Sequence, residues 1–123
     1  MKKQLKEEWR DIPEYEGIYQ VSNFGRVKSL DRFILQKYSM NPNRIIKVFH
    51  KSKILKPQTN LQGYSIVNLY YKNHKFRSER ISRLVLTTFN LFPKKGEQAS
   101  HYPDQDKSNN KLDNLRWETP KKK

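Results

Sequence analysis

From Tyr15 to Leu30 the chain reads Tyr-Glu-Gly-Ile-Tyr-Gln-Val-Ser-Asn-Phe-Gly-Arg-Val-Lys-Ser-Leu. Ile18, Gln20 and Ser22 alternate with Tyr19, Val21 and Asn23, the two-residue period of a strand whose faces meet different surroundings. Ser22-Asn23-Phe24-Gly25 supplies turn residues, and Arg26 to Leu30 reads as the returning strand. The pattern predicts a hairpin with Trp9, Ile12, Tyr15, Tyr19 and Val21 as its core. Residues 36–44, around Asn41-Pro42-Asn43, read as a loop, and residues 45–56 as one or two short strands ended by Pro57. A second alternation, Gly63 to Tyr71, turns at Lys72-Asn73-His74 and returns over Lys75 to Ile81. Ile81, Leu84, Val85 and Thr88 then share one face at helical spacing, which predicts a short helix to Phe89 with Ser82 as its N-cap. Pro93-Lys94-Lys95-Gly96 breaks the chain. Beyond it, Leu112, Leu115, Trp117 and Tyr102 are the sizeable candidates for burial. No internal repeat stands out beyond the two hairpins.

Composition adds limits. At 123 residues, 34% hydrophobic and 31% charged, the chain has room for a modest core, and 12% aromatic residues argue against plain disorder. No apolar run approaches the roughly 20 residues of a bilayer span, and Met1 to Glu8 lacks the apolar stretch of a signal peptide. The absence of cysteine excludes a disulfide framework and a thiolate zinc site. An intracellular protein with no membrane partner is expected.

The distribution of charge changes the picture most. Residues 24–95 carry sixteen Lys/Arg against two Asp/Glu, a surplus equal to the whole net charge of +14. Between Asp31 and Glu79 there is no acidic residue. Such a stretch repels itself when folded unless a polyanion lies against it. A solvated cationic face or a membrane-surface patch is the alternative. The interleaved aromatics favour nucleic acid, since bases stack on them.

Trp9-Arg10-Asp11-Ile12-Pro13-Glu14-Tyr15-Glu16-Gly17-Ile18-Tyr19-Gln20-Val21-Ser22-Asn23-Phe24-Gly25-Arg26-Val27-Lys28-Ser29 closely resembles the nuclease-associated modular motif that opens many phage HNH homing endonucleases. Ile54-Leu55-Lys56-Pro57, Gly63-Tyr64 and Arg83-Leu84-Val85 with Phe89 are similar to the middle section of that family. His101, Asp106-Lys107-Ser108-Asn109-Asn110 and Asp113-Asn114-Leu115-Arg116-Trp117 resemble the HNH motif itself. The resemblance implies an α+β fold: antiparallel β-hairpins with a short helix, followed by a partial ββα-metal motif. It divides the chain into a basic, β-rich nucleic-acid-binding region over 1–95 and a partial HNH motif over 96–123. It implies His101 as the general base that activates water and Asn114 as the residue that holds the catalytic loop in shape. Mg²⁺ or another divalent cation is the implied cofactor, since a hard cation with oxygen ligands can clamp the scissile phosphate. Phage origin and action in the host cytoplasm follow from the same resemblance.

Four departures from the pattern lie at or near the catalytic end. Ser100 stands where the family places a metal-binding carboxylate or amide before the first His. The segment from His101 to Lys107 is one residue longer than usual and contains Pro103. Ser82 replaces a His, and the position of the last metal ligand falls at about Lys123, a cation. Ser100 and Asp104 are the remaining metal candidates, with Asp106, Asn109 and Asn110 as further sources of oxygen. Weakened or lost nuclease activity is therefore expected.

Candidate backbone-contacting cations are Arg26, Lys28, Arg32, Lys53, Lys56, Lys72, Lys75, Arg77, Arg80 and Arg83, of which Arg26 and Arg77 could read guanine edges. His50 and His74 suit phosphate contact or plain exposure. Three readings remain open from sequence: a DNA-binding protein of homing-endonuclease type, an active nicking enzyme with shifted metal ligands, and a nuclease-dead protein. The last would bind RNA or block another DNA-acting machine through a protein partner. Duplex DNA is favoured over RNA.

Overall fold

The computed structural model describes residues 6–71, 75–90 and 92–120. The tip expected at 72–74, with Lys72 and His74, and the ligand position expected near Lys123 lie outside the described residues. Among the described residues, eleven strands, one α-helix and a 3-10 turn make the α+β fold that the resemblance implies. The first hairpin forms as predicted: β2 (Tyr19–Ser22) pairs with β3 (Val27–Ser29), placing Val21 opposite Val27. Two further strands extend it, β1 (Trp9–Asp11) beside β2 and β6 (Lys53–Ile54) beside β3, giving the order β1-β2-β3-β6. The second hairpin also forms, from β8 (Ser65–Tyr71) and β9 (Lys75–Arg80), with β7 (Gln58–Thr59) on its other edge.

The stretch expected as a loop is different. β4 (Arg32–Tyr38) and β5 (Asn41–His50) form a two-stranded ribbon closed by a two-residue turn at Ser39-Met40. Phe33 lies opposite Phe49 and Leu35 opposite Lys47, while Ile34 faces Val48 and Gln36 faces Ile46. Apolar residues thus fall on both faces of the ribbon, and the two-residue alternation that marks a half-buried strand is lost. Pro42 is accommodated by a register shift, in which Lys37 pairs with Ile45 but Tyr38 with Asn41.

α1 (Ile81–Phe89) continues directly from β9. Its N-cap is therefore Arg80, the last strand residue, and no side chain caps it. Ser82 is not the cap. It sits one position inside the helix and is buried. Of the predicted apolar face, Ile81, Leu84 and Val85 are buried and Thr88 is half-buried, while Leu86, not expected on it, is buried too; each apolar burial contributes roughly 1.5–3 kcal/mol. The four buried apolar residues pack with Ile12, Tyr15, Tyr19, Val21, Val27, Val67, Leu69 and Leu115 into one cluster, against which Ala99, Leu112 and Trp117 rest. The core therefore runs from the first hairpin into the last segment of the chain. Of the expected aromatic core, Trp9 is only half-buried, and Tyr102 lies at the surface. Among the described residues no helix is long and apolar enough to cross a membrane.

Candidate active site and nucleic-acid interface

The last two strands build the site. β10 (Gln98–His101) pairs antiparallel with β11 (Leu115–Glu118), so that Ser100 lies opposite Arg116 and His101 opposite Leu115. Burial of Leu115 in the core anchors this pair, and α1 packs across both strands. Pro103 falls just beyond the end of β10, where its missing N–H costs no ladder bond. The Tyr102–Pro103 peptide bond is cis.

The connection between the strands is held from within. Asn114, 4% exposed, accepts a hydrogen bond from the Asp104 N–H at 2.9 Å. Its amide donates to the carbonyls of Asp104 at 2.8 Å and Asn109 at 3.1 Å. Asp104 spends both carboxylate oxygens inside the loop, one on the Asp106 N–H at 3.0 Å and the other on the Asn109 amide at 3.0 Å. Asp106 accepts from the N–H and hydroxyl of Ser108 at 2.9 and 2.7 Å. Those bonds hold its carboxyl below the ordinary carboxylate range; a slight desolvation opposes them, and the electrostatic influence of the nearby His101 ring is a smaller contribution in the same direction.

His101 lies beside an open cleft of about 330 Å³ shared with Tyr64, Ser100, Gln105, Lys107 and Glu118. Its Nε2 is 2.9 Å from Asn110 Oδ1. Tyr64, 6.3 Å from the imidazole between ring centroids, carries Arg80 at 3.9 Å and Lys107 at 4.4 Å over its ring. Ser100 and His101 both line this cleft, whereas Asp104 does not. Among the described residues no group of three or more His, Cys, Asp or Glu side chains is arranged to hold a metal ion.

The expected cations occupy several environments. Arg26 is tied to Glu7 through both carboxylate oxygens, at 2.9 Å from Nε, and Arg77 lies 3.7 Å from Glu14 and 3.9 Å from Glu79. Lys28 rests over Trp9 at 4.3 Å, and Arg83 over Trp117 at 5.4 Å. Arg32 lies over Tyr19 at 5.6 Å and Tyr70 at 6.0 Å. Lys53, Lys56 and Lys75 are exposed. A groove of about 1000 Å³ runs between the ribbon and the second hairpin, lined among others by Arg32, Lys37, His50, Lys51, Lys53, Tyr19 and Tyr70. It is separate from the His101 cleft. Sequence reasoning did not name the cations Lys37, Arg44, Lys47 and Lys51: Lys37 and Arg44 fall in the stretch expected as a loop, and Lys47 and Lys51, although in the stretch expected as strand, carried no signal that set them apart from other lysines. It also missed Lys107 and Tyr64 as neighbours of His101, which only the packing of the second hairpin against the last one brings together.

Residues 7–70 match the family model described as the NUMOD4 motif. The chain is 35% identical over 114 residues to the DNA endonuclease I-HmuI of Bacillus phage SP01, an alignment that covers 93% of this chain and 53% of that protein. The solved structure titled "DNA binding and cleavage by the HNH homing endonuclease I-HmuI" superposes with a TM-score of 0.66 at 35% identity, over 91% of this chain and 52% of that one. The chain belongs to the NUMOD4-motif family. An uncharacterized HNH endonuclease of Acanthamoeba polyphaga mimivirus is 33% identical over 115 residues, covering 90% of this chain and 23% of that protein. The chain spans about half the length of the phage relative and about a quarter of the viral one.

Proposed function

We propose that the chain binds duplex DNA along its cationic strands and presents to it an HNH hairpin whose cleavage chemistry is severely impaired. The binding half is supported by the concentration of positive charge over residues 24–95 and by its display. The β4–β5 ribbon carries Lys37, Arg44 and Lys47 on exposed positions, and a two-stranded ribbon has the width of the DNA major groove. Arg32, Lys51 and Lys53 line the adjoining groove. Lys107 lines the cleft with His101, and it and Arg80 lie over Tyr64, the ring next to the imidazole, so that they bring positive charge to the neighbourhood of the base. Arg26 and Arg77, already paired with carboxylates, are weaker candidates for base reading. Such a protein would be phage-encoded and act in the host cytoplasm.

The observation that carries the impaired-cleavage half is Ser100. The family plan implies a divalent cation beside the general base, and the donors here do not fit one. Ser100 offers a neutral hydroxyl, Asp104 is engaged in its own loop, and Glu118, the one carboxylate among the described residues lining the cleft, lies 3.6 Å from Arg116. A hard cation needs several oxygen ligands, preferably anionic. What the chain's own residues retain is a base, His101, that can take a proton from water, and cations that can neutralise a phosphate.

A plasmid-nicking assay with Mg²⁺ or Mn²⁺ tests this reading. Wild type should nick barely above background, and Ser100→Asp, which returns an anionic ligand, should raise the rate by about tenfold or more. Vigorous metal-dependent nicking by wild type, abolished in His101→Ala, would refute the impairment. Affinity for duplex DNA should fall steeply with salt. A flat salt response, or preference for structured RNA at matched salt, would overturn the DNA-binding half.

A further inference from the structure

We propose that Asn110 is a positioning residue for His101, and that Gly25, in the turn of the N-terminal hairpin, keeps Asn110 in place. The inference rests on the reading of His101 as the general base and concerns what aims it. Asn110 is buried, 6% exposed, and its Oδ1 lies 2.9 Å from His101 Nε2. An amide oxygen only accepts, so the bond requires the proton on Nε2. The neutral imidazole is then held in one tautomer, with the lone pair on Nδ1 as the site that can take a proton from water.

Asn110 is itself pressed against the first hairpin. A Cβ added to Gly25 would lie 2.7 Å from the Asn110 carbonyl oxygen, 2.9 Å from its carbonyl carbon and 3.0 Å from its Cβ. Gly25 has φ of +87°, so both its conformation and this approach call for glycine. Two residues on, the Leu112 N–H donates to the Asn23 carbonyl at 2.8 Å. Asn23 is fully enclosed and ties the turn back to Glu8, its side-chain oxygen accepting from the Glu8 N–H at 2.8 Å. The segment carrying Asn110 is thus fixed to the turn at two points, the Gly25 contact and the Leu112–Asn23 bond. The NUMOD4 hairpin therefore buttresses the imidazole as well as contributing cationic surface.

The test is imidazole ¹⁵N NMR on the full chain, without metal, at a pH where histidine is neutral. The His101 Nε2–H should appear as a protected, slowly exchanging signal, unlike that of exposed His50. Asn110→Leu and Gly25→Ala should each speed its exchange by about tenfold or more, while Asn110→Asp, which keeps an acceptor oxygen, should retain protection. In the Ser100→Asp background, nicking by Asn110→Leu should fall in kcat with little change in KM, and Asn110→Asp should restore it. A wild-type His101 signal that exchanges as fast as His50, or one carrying the proton on Nδ1, overturns the proposal without any variant. Absence of nicking in every background would count against the proposed base role of His101, while the NMR result would still decide the positioning role.

Discussion

Asn114→Ala gives a direct measure of how the loop before β11 is held. The side chain makes three hydrogen bonds to backbone groups, at 2.9 Å from the Asp104 N–H and at 2.8 and 3.1 Å to the Asp104 and Asn109 carbonyls. Each bond of this kind contributes about 0.5–1.5 kcal/mol net, so three correspond to about 3 kcal/mol. Asp104 itself is exposed, and water can replace part of the lost bonding, which lowers the expected cost to about 2 kcal/mol. For a domain of this size, that corresponds to a fall in Tm of about 6–10 °C. Asn109→Ala is the matched control: its side chain gives one exposed bond, 3.0 Å to Asp104, and one marginal contact of 3.5 Å with the Lys111 N–H. It should cost below about 0.5 kcal/mol. Urea titration followed by tryptophan fluorescence measures both, since Trp117 lies on the adjoining strand. If Asn114→Ala costs no more than Asn109→Ala, the side chain is not what holds this loop, and the argument from its three bonds is wrong.

Three other outcomes follow from the same structure. Reversing the ribbon charges in Lys37→Glu/Arg44→Glu/Lys47→Glu should leave thermal stability nearly unchanged, because all three are exposed. The slope of log affinity for duplex DNA against log salt should become shallower, by about 0.9 for each phosphate contact removed. An unchanged slope would take the ribbon out of the interface. Tyr15→Phe keeps the buried ring against Tyr19 at 5.7 Å but removes the 2.8 Å bond from its hydroxyl to Glu79, and should cost about 1 kcal/mol in a denaturation experiment. A neutral result would mean that solvent satisfies Glu79 equally well.

The third outcome concerns acid. The Arg26 guanidinium holds the Glu7 carboxyl below its ordinary value of 4.5, partial burial opposes this, and Ser22 and Lys28 add to the lowering. A folded pKa below the unfolded one means that the stabilisation is complete above the ordinary carboxylate range and lost as pH falls through the folded value. Glu7→Gln should therefore remove part of the acid-side loss of stability, worth below about 1 kcal/mol at neutral pH because Arg26 is half exposed. Identical acid unfolding of the two proteins would show that the pair contributes nothing.

Much of the fold could be read along the chain because its signals are local. The Tyr19–Ser29 hairpin, the Ser65–Arg80 hairpin and the apolar face of the Ile81–Phe89 helix each follow from side-chain period and turn residues within a few positions. The α+β class, the family and the concentration of charge over residues 24–95 came from the same source. The β4–β5 ribbon was legible only over residues 45–50, which read as strand. Its apolar residues fall on both faces, Pro42 mimics a loop over 36–44, and only cross-strand pairing of Arg32–Tyr38 with Asn41–His50 joins the two halves into a ribbon. The Ser82 cap failed for a related reason: propensity suggested the residue, but β9 runs straight into the helix and leaves Arg80 at its end. Sequence likewise named His101, Asn114 and Ser100 one by one, since each stands at a fixed place in a short motif. That Asp104 is consumed by its own loop is a matter of the loop's conformation, while the approach of Tyr64 to His101 and of Gly25 to Asn110 is packing between segments far apart in the chain. A sequence specifies which groups are available within a few residues of each other; which of them meet is decided by burial of the shared core, and here that core runs from the first hairpin to Leu115.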